Sequence, residues 1–142
     1  MGMLYFAYGM NTNSQGMAQR CPAAVSFGRA QLAGHQFRFS GPADVQPNRH
    51  SDVEGVLWDI TEECLTSLDK LEGYPFYYDR KWARVWFNGQ ECQAIVYFMQ
   101  PGNRNHPPSS GYFATVLEGY EEHGVPTQQL WENVNFSTQI LA

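Results

Sequence analysis

The apolar positions of this chain fall into two periods, and the switches between them lay out its elements. Leu4-Tyr5-Phe6-Ala7-Tyr8 is uncharged and rich in aromatics, which predicts a strand. Gly9 breaks it into a polar turn, and Thr12, Asn13 and Ser14 supply capping oxygens for a short helix running to about Arg20, before Pro22. Val25, Phe27 and Leu32 predict a strand with a bulge at Gly28. Gly34-His35 then turns the chain into a half-buried strand around Phe37 and Phe39. Val53 to Ile60 is apolar on both faces, the mark of a central or barrel-forming strand. A helix capped by Thr61 follows to about Leu71, with Leu65, Leu68 and Leu71 as its stripe and Gly73 as its C-terminal cap. Strands over Lys81 to Phe87 and Glu91 to Met99 meet at Asn88-Gly89, a strong hairpin signal. Ser109 or Ser110 caps a helix with Tyr112, Phe113, Val116, Leu117 and Tyr120 on one face. Gly124 closes it, and Pro126 opens a last short helix bearing Leu130, Trp131 and Val134. Two Pro- and Gly-containing stretches, Gly41 to Asp52 and Pro101 to Ser110, are expected as long loops.

No repeat, linker or low-complexity tract interrupts this order, so residues 1–142 are expected to form one domain. With 43% apolar and 16% charged residues the chain belongs with globular proteins, not disordered ones. A net charge of −5 argues against nucleic acid as a partner, because phosphate binding needs clustered Lys and Arg. No apolar run approaches the ~18 residues of a membrane span, and the first residues lack a signal-peptide pattern. A cytoplasmic protein that binds no membrane is the expectation. Cys21, Cys64 and Cys92 are odd in number and widely spaced, which predicts separate buried or half-buried thiols and no disulfide or zinc framework. His35, His50, His106 and His123 are equally scattered, so no metal site is expected. Nothing in the sequence specifies an oligomeric state.

Two features carry candidate chemistry. A strand running through Gly9 into a helix start aims several backbone N–H groups at one spot, which suits a carboxylate or a developing oxyanion. The second is Glu72. It lies about 40° from Leu68 and about 20° from Leu65 around the helix axis, where the pattern calls for another leucine. A carboxylate driven toward an apolar interior has its ionised form disfavoured, and a raised pKa suits proton transfer near neutral pH. Glu62, Glu63 and Asp69 are expected to be solvated surface charges, and no second acid falls on a comparably buried position.

Leu4-Tyr5-Phe6-Ala7-Tyr8-Gly9-Met10-Asn11 closely resembles the YFAYGSN signature of the γ-glutamylcyclotransferase-like (AIG2-like) family. Val53-Glu54-Gly55-Val56-Leu57-Trp58 is similar to its V-x-G-x-x-W strand. Leu68-Asp69-Lys70-Leu71-Glu72-Gly73 resembles the L-D-x-x-E-G segment that carries its catalytic glutamate. Gly119-Tyr120-Glu121-Glu122-His123-Gly124-Val125-Pro126 is similar to its G-A-x-E-H-G-L-P turn. The four motifs occur in the family's order over nearly the whole chain.

The resemblance implies an α+β fold, a compact mixed β-barrel with flanking helices. It implies an enzyme that releases 5-oxoproline and a free amine or amino acid from a γ-glutamyl small molecule, without metal or organic cofactor. Glu72 would be its general acid and base. Tyr5, Tyr8, Gly9, Met10 and Asn11 would line the substrate site, with Tyr78 and Tyr112. Relatives place a tyrosine about seven residues after the glutamate; here Tyr77 and Tyr78 stand five and six residues on, and the Asp-Arg after it selects Tyr78. Met10 replaces the usual serine. That departure supports an alternative, a small-molecule binding module that keeps the pocket without turnover. The two long loops are expected to border the cavity; Arg49, Arg104 and His106 on them are candidates to meet an acidic group there, against the commoner reading of solvated loop charges.

Overall fold

The structure is a computed structural model that describes residues 2–141, and the side chains of residues 2–134. Five strands close into a barrel in the order β1 (Met3–Ala7), β5 (Val53–Ile60), β2 (Val25–Leu32), β6 (Tyr78–Phe87) and β7 (Gln90–Met99). β1 pairs antiparallel with β5, from Met3 opposite Ile60 to Ala7 opposite Val56. It closes on β7 through a parallel bridge between Tyr5 and Ile95. β5 also pairs with β2, whose register slips between Ser26 and Gly28, the expected bulge. β5 therefore has neighbours on both edges and apolar residues on both faces, with Val53, Val56, Leu57 and Ile60 all buried. β6 and β7 form the hairpin announced by Asn88-Gly89, both of which hold positive φ. This α+β barrel with flanking helices is the architecture expected from the sequence.

Gly55, on β5, packs against the end of β1. A Cβ there would overlap the Ala7 carbonyl oxygen and the Phe6 ring. Gly55→Ala is expected to lower stability by about 3 kcal/mol, the upper range of overpacking, read from a denaturant midpoint that falls at unchanged slope.

α1 (Ser14–Arg20) follows a 3-10 turn over Met10–Thr12, and the Asn13 side chain caps it by accepting from the Gly16 N–H. α2 (Glu62–Glu72) starts at Thr61, whose hydroxyl accepts from the Cys64 N–H, and ends at Gly73 in the left-handed conformation. α3 (Ser110–Glu122) is capped by Ser109 and buries Val116 and Tyr120. The Tyr120 hydroxyl donates to the Tyr8 carbonyl at 2.6 Å, tying α3 to the turn after β1. α4 (Gln128–Leu141) buries Leu130 and begins two residues after Pro126; at fourteen residues it is longer than its sequence suggests.

Four expectations need correction. The stretch Gly41 to Asp52 is not one long loop. Its residues Ala43–Pro47 form β4, which pairs with β3 (His35–Phe39) as a second, two-stranded sheet. Pro42 and Pro47 flank and end the strand, where few ladder N–H groups are needed, so proline marks its limits. Asp44, the second residue of β4, is 1% exposed; the Arg38 guanidinium donates to it at 2.8 Å, and so does the Met99 N–H. A comparably buried second acid therefore exists, neutralised by a buried cation. Cys21 and Cys64 form a disulfide, because the end of α1 meets the start of α2 and brings their Cα atoms to 5.0 Å. Only Cys92 keeps a free thiol among the described residues. Leu71 is 41% exposed, so the buried stripe of α2 is Cys64, Leu68 and the half-buried Leu65.

Candidate active site

β1 and the turn after it deliver the first wall of a cavity of about 240 Å³. Tyr5 and Tyr8 are buried, and Gly9 brings the backbone so close to α3 that a Cβ would lie 2.9 Å from the Tyr112 hydroxyl. Asn11, 3% exposed, is the hub of the wall. Its Nδ2 donates to the Tyr5 hydroxyl at 3.0 Å and to Glu72 Oε1 at 3.3 Å.

Glu72 reaches this point because it follows the fully buried Leu68 by one turn and is the last residue of α2. Burial pushes its carboxyl from the ordinary 4.5 up to about 7, against the pull of the Arg20 charge and the Asn11 hydrogen bond. The opposite wall is held by two more tyrosines acting on one residue. The Tyr78 hydroxyl donates to the Ala43 carbonyl at 2.7 Å, and the Tyr112 hydroxyl accepts from the Ala43 N–H at 3.0 Å. Burial raises both phenols, Tyr112 to about 12 and Tyr78 further, so they remain neutral hydrogen-bonding groups at working pH. Tyr5 and Tyr8 are raised for the same reason. Glu72 is thus the lining acid whose carboxyl is shifted toward neutrality.

All eight residues expected at the site line this one cavity: Tyr5, Tyr8, Gly9, Met10, Asn11, Glu72, Tyr78 and Tyr112. Pro42, Ala43, Leu71, Tyr77 and Tyr97 complete it. Tyr77, 44% exposed, and Leu71 stand at the mouth. Tyr97 belongs to the buried face of β7 with Ile95 and Met99, and a hydroxyl in so apolar a run was the available signal for it. Its hydroxyl donates to Asp69 at 2.6 Å, and the Arg80 guanidinium grips Asp69 at 2.9 and 3.3 Å. Asp69 is therefore a half-buried brace behind the cavity and not the solvated charge expected, whereas Glu62 and Glu63 are exposed.

Of the two long stretches expected at the rim, only Pro42 and Ala43 border the cavity. The segment from Pro101 packs against the β3–β4 hairpin, where Arg38 donates to the Asn103 carbonyl. Arg49, Arg104 and His106 contribute nothing to the lining. Among the described residues no cluster of three His, Cys, Asp or Glu side chains suits a metal ion, and no helix is long and apolar enough to cross a membrane.

Tyr112→Phe should leave the Ala43 N–H without its acceptor. We expect a stability loss of about 1–2 kcal/mol in a denaturant titration. Tyr78→Phe, which removes a donor from a carbonyl that has a second lone pair, should cost less.

Residues 5–115 match the family described as "Gamma-glutamyl cyclotransferase, AIG2-like". A gamma-glutamylcyclotransferase of Bos taurus is 29% identical over 139 residues, spanning 88% of this chain and 73% of its own. The Homo sapiens gamma-glutamylcyclotransferase is 28% identical over the same shares. A solved structure of a gamma-glutamyl cyclotransferase superimposes with a TM-score of 0.83 at 26% identity, over 94% of this chain and 86% of that one.

Proposed function

This chain belongs to the γ-glutamyl cyclotransferase, AIG2-like family, and from that premise we propose that it releases 5-oxoproline and a free amine from a γ-glutamyl small molecule, with Glu72 as general base and then general acid. The observation that carries the proposal is the Glu72 carboxyl, half-buried in a tyrosine-lined cavity and raised to about 7. A carboxylate with that pKa takes a proton from an amine and returns it within one cycle at neutral pH.

In the proposed reaction the substrate's α-amine, in its neutral form, attacks its own γ-carbonyl carbon and gives up a proton to Glu72 as the bond forms. A carbon–nitrogen bond forms, the five-membered ring closes, and the carbonyl electrons move to oxygen. As the oxyanion collapses, the bond to the leaving nitrogen breaks and Glu72 returns the proton to that nitrogen. No water enters and no charge is left over. Ring closure is intramolecular, so the protein's task is to hold the bent conformer and to stabilise the oxyanion, each donor contributing ~3 kcal/mol. The backbone of Tyr8 to Asn11 and the Tyr5 hydroxyl are the groups we place around that oxygen.

Size supports this assignment. At about 240 Å³ the cavity is smaller than the ~300–1,000 Å³ typical of drug-sized ligands, enough for a glutamyl group with the leaving amine passing Leu71 and Tyr77 to solvent. The lining contains one acid and no Lys, Arg or His. The Met10 thioether, the departure from the family's serine, lines the cavity and lies 3.9 Å from Arg20 Nη2. Backbone action at position 10 tolerates it, whereas a required hydroxyl would leave a binding module without turnover. Incubating the protein with a panel of γ-glutamyl amines and γ-glutamyl amino acids separates the two. The expected result is 5-oxoproline and amine in equal amounts from at least one compound; saturable binding with no product from any of them would establish the binding module.

A further inference from the structure

Arg20, the last residue of α1, does not line the cavity, yet its guanidinium is aimed at the cavity's hub. Nη1 donates to Asn11 Oδ1 at 3.1 Å and Nη2 approaches Met10 Sδ. The Arg20 side chain forms no ion pair among the described residues. Gly16, one turn earlier, makes room for it: a Cβ there would lie 2.6 Å from Nη1 and 3.4 Å from Cζ. Glycine in a helix interior costs about 1 kcal/mol relative to alanine, so in the first turn of α1 this clearance carries a local cost of at most that size.

Hydrogen-bond chemistry then dictates how Asn11 is turned. A guanidinium only donates and an ionised carboxylate only accepts. With Oδ1 on Arg20, both protons of Nδ2 are directed to the other side, at the Tyr5 hydroxyl and Glu72 Oε1. The flipped carboxamide would set donor against donor and acceptor against acceptor.

We propose that Arg20 is a positioning residue for the Glu72 carboxylate, acting through Asn11 in the space Gly16 leaves open, so that Oε1 is pinned and the second oxygen is left for the substrate. Its catalytic meaning rests on the cyclotransferase reaction proposed above; the placement of the carboxylate does not. The titratable groups around Glu72 come from every element that packs there. They are Tyr5 and Tyr8 from β1 and its turn, Arg20 from α1, Tyr77 just before β6 and Tyr78 at its start, Tyr97 from β7 and Tyr112 from α3. Asp69 on α2 and Asp44 on β4 stand behind them, each paired with its own arginine. Arg20 is therefore the cation whose removal changes the balance at Glu72. Without it the ionised form loses its support and the carboxyl titrates higher.

The test is a ¹³C NMR titration of the carboxyl resonance of Glu72 in the 142-residue chain, assigned by its disappearance in Glu72→Gln. Arg20→Met should move the midpoint up by roughly half to one pH unit, the size of a partly screened charge interaction over two hydrogen bonds. Arg20→Lys keeps the charge and should restore most of that shift. Gly16→Ala keeps arginine in the sequence but fills its seat, and should move the midpoint in the same direction as Arg20→Met. In turnover, the acidic limb of kcat/KM should follow, giving a loss of roughly three- to tenfold at pH 6 that narrows by pH 9. A merely structural role would lower the melting temperature and leave the midpoint in place; an unshifted midpoint in Gly16→Ala, and in any Arg20 variant that folds, overturns the proposal. Wild-type protein that makes no 5-oxoproline while the midpoint still shifts would sink the cyclotransferase assignment and leave the positioning role standing.

Discussion

Glu72→Gln is expected to abolish 5-oxoproline release and at the same time to yield a more stable protein at pH 8. General acid–base catalysis contributes typically 10²–10⁴-fold, and one group here serves both proton transfers, so turnover should fall by about 10³ or more. Binding should survive, because Asn11 can hydrogen-bond a carboxamide in place of Oε1. The stability gain follows from the raised pKa. Below about pH 4.5 Glu72 is protonated in the folded and unfolded chains alike, and its burial carries no electrostatic penalty. As pH rises from 4.5 toward 7 the unfolded chain ionises while the folded one holds its proton, so wild type loses stability across that window. Above 7 the loss is complete, and a lift of that size corresponds to at most roughly 3 kcal/mol. Glutamine never ionises. Melting curves of the two proteins should therefore nearly coincide at pH 4.5 and separate by pH 8, with the variant higher. Equal melting temperatures at both pH values would mean that the carboxylate is solvated and the basis for its role is absent.

Asp44→Ala should produce the largest loss of stability, though Asp44 does not line the cavity. Asp44 takes both the Arg38 guanidinium and the Met99 N–H at 2.8 Å, and its removal leaves a buried cation uncompensated. Breaking such a pair from one side costs about 3–5 kcal/mol, which for a chain of this size is a fall in Tm of roughly 10–20 °C. The consequence for the cavity comes through the neighbouring residue. Ala43, fixed by Tyr78 and Tyr112, is carried by the strand that Asp44 anchors to β7, so the wall opposite Glu72 should loosen and KM should rise. Replacing both partners, Arg38→Met with Asp44→Leu, should recover much of the lost Tm because no charge is then stranded. A single Asp44→Ala variant as stable as wild type would show that the pair contributes nothing to holding β4.

Elements governed by local signals were legible in the chain. Val53 to Ile60, the Asn88-Gly89 hairpin and the Thr61-to-Gly73 helix carry period, cap and turn residues within a few positions of one another, and each appears as expected. The placement of Glu72 was legible for the same reason, since helical geometry sets it within about 40° of Leu68, whereas its proposed role came from the family resemblance. β4 was hidden because its identity depends on a partner strand and on a buried ion pair, while its prolines read as loop. The Cys21–Cys64 bridge spans 43 residues and follows from two helix ends meeting, which no spacing rule encodes. Arg20, Asp69 and Tyr97 were missed in the same way. A basic residue at a helix C-terminus and an acid on a helix surface have ordinary local explanations. Only the closed barrel brings them behind Asn11 and Glu72.

The most direct test of the chemistry is the identity and isotope content of the product made in ¹⁸O-enriched water from a γ-glutamyl amine or amino acid that the protein turns over. Intramolecular cyclisation predicts unlabelled 5-oxoproline with one equivalent of free amine, and no glutamate above background. Glutamate carrying ¹⁸O in its γ-carboxyl would show that water, and not the substrate's own α-amine, attacks the carbonyl, and would contradict the assignment of Glu72 to ring closure.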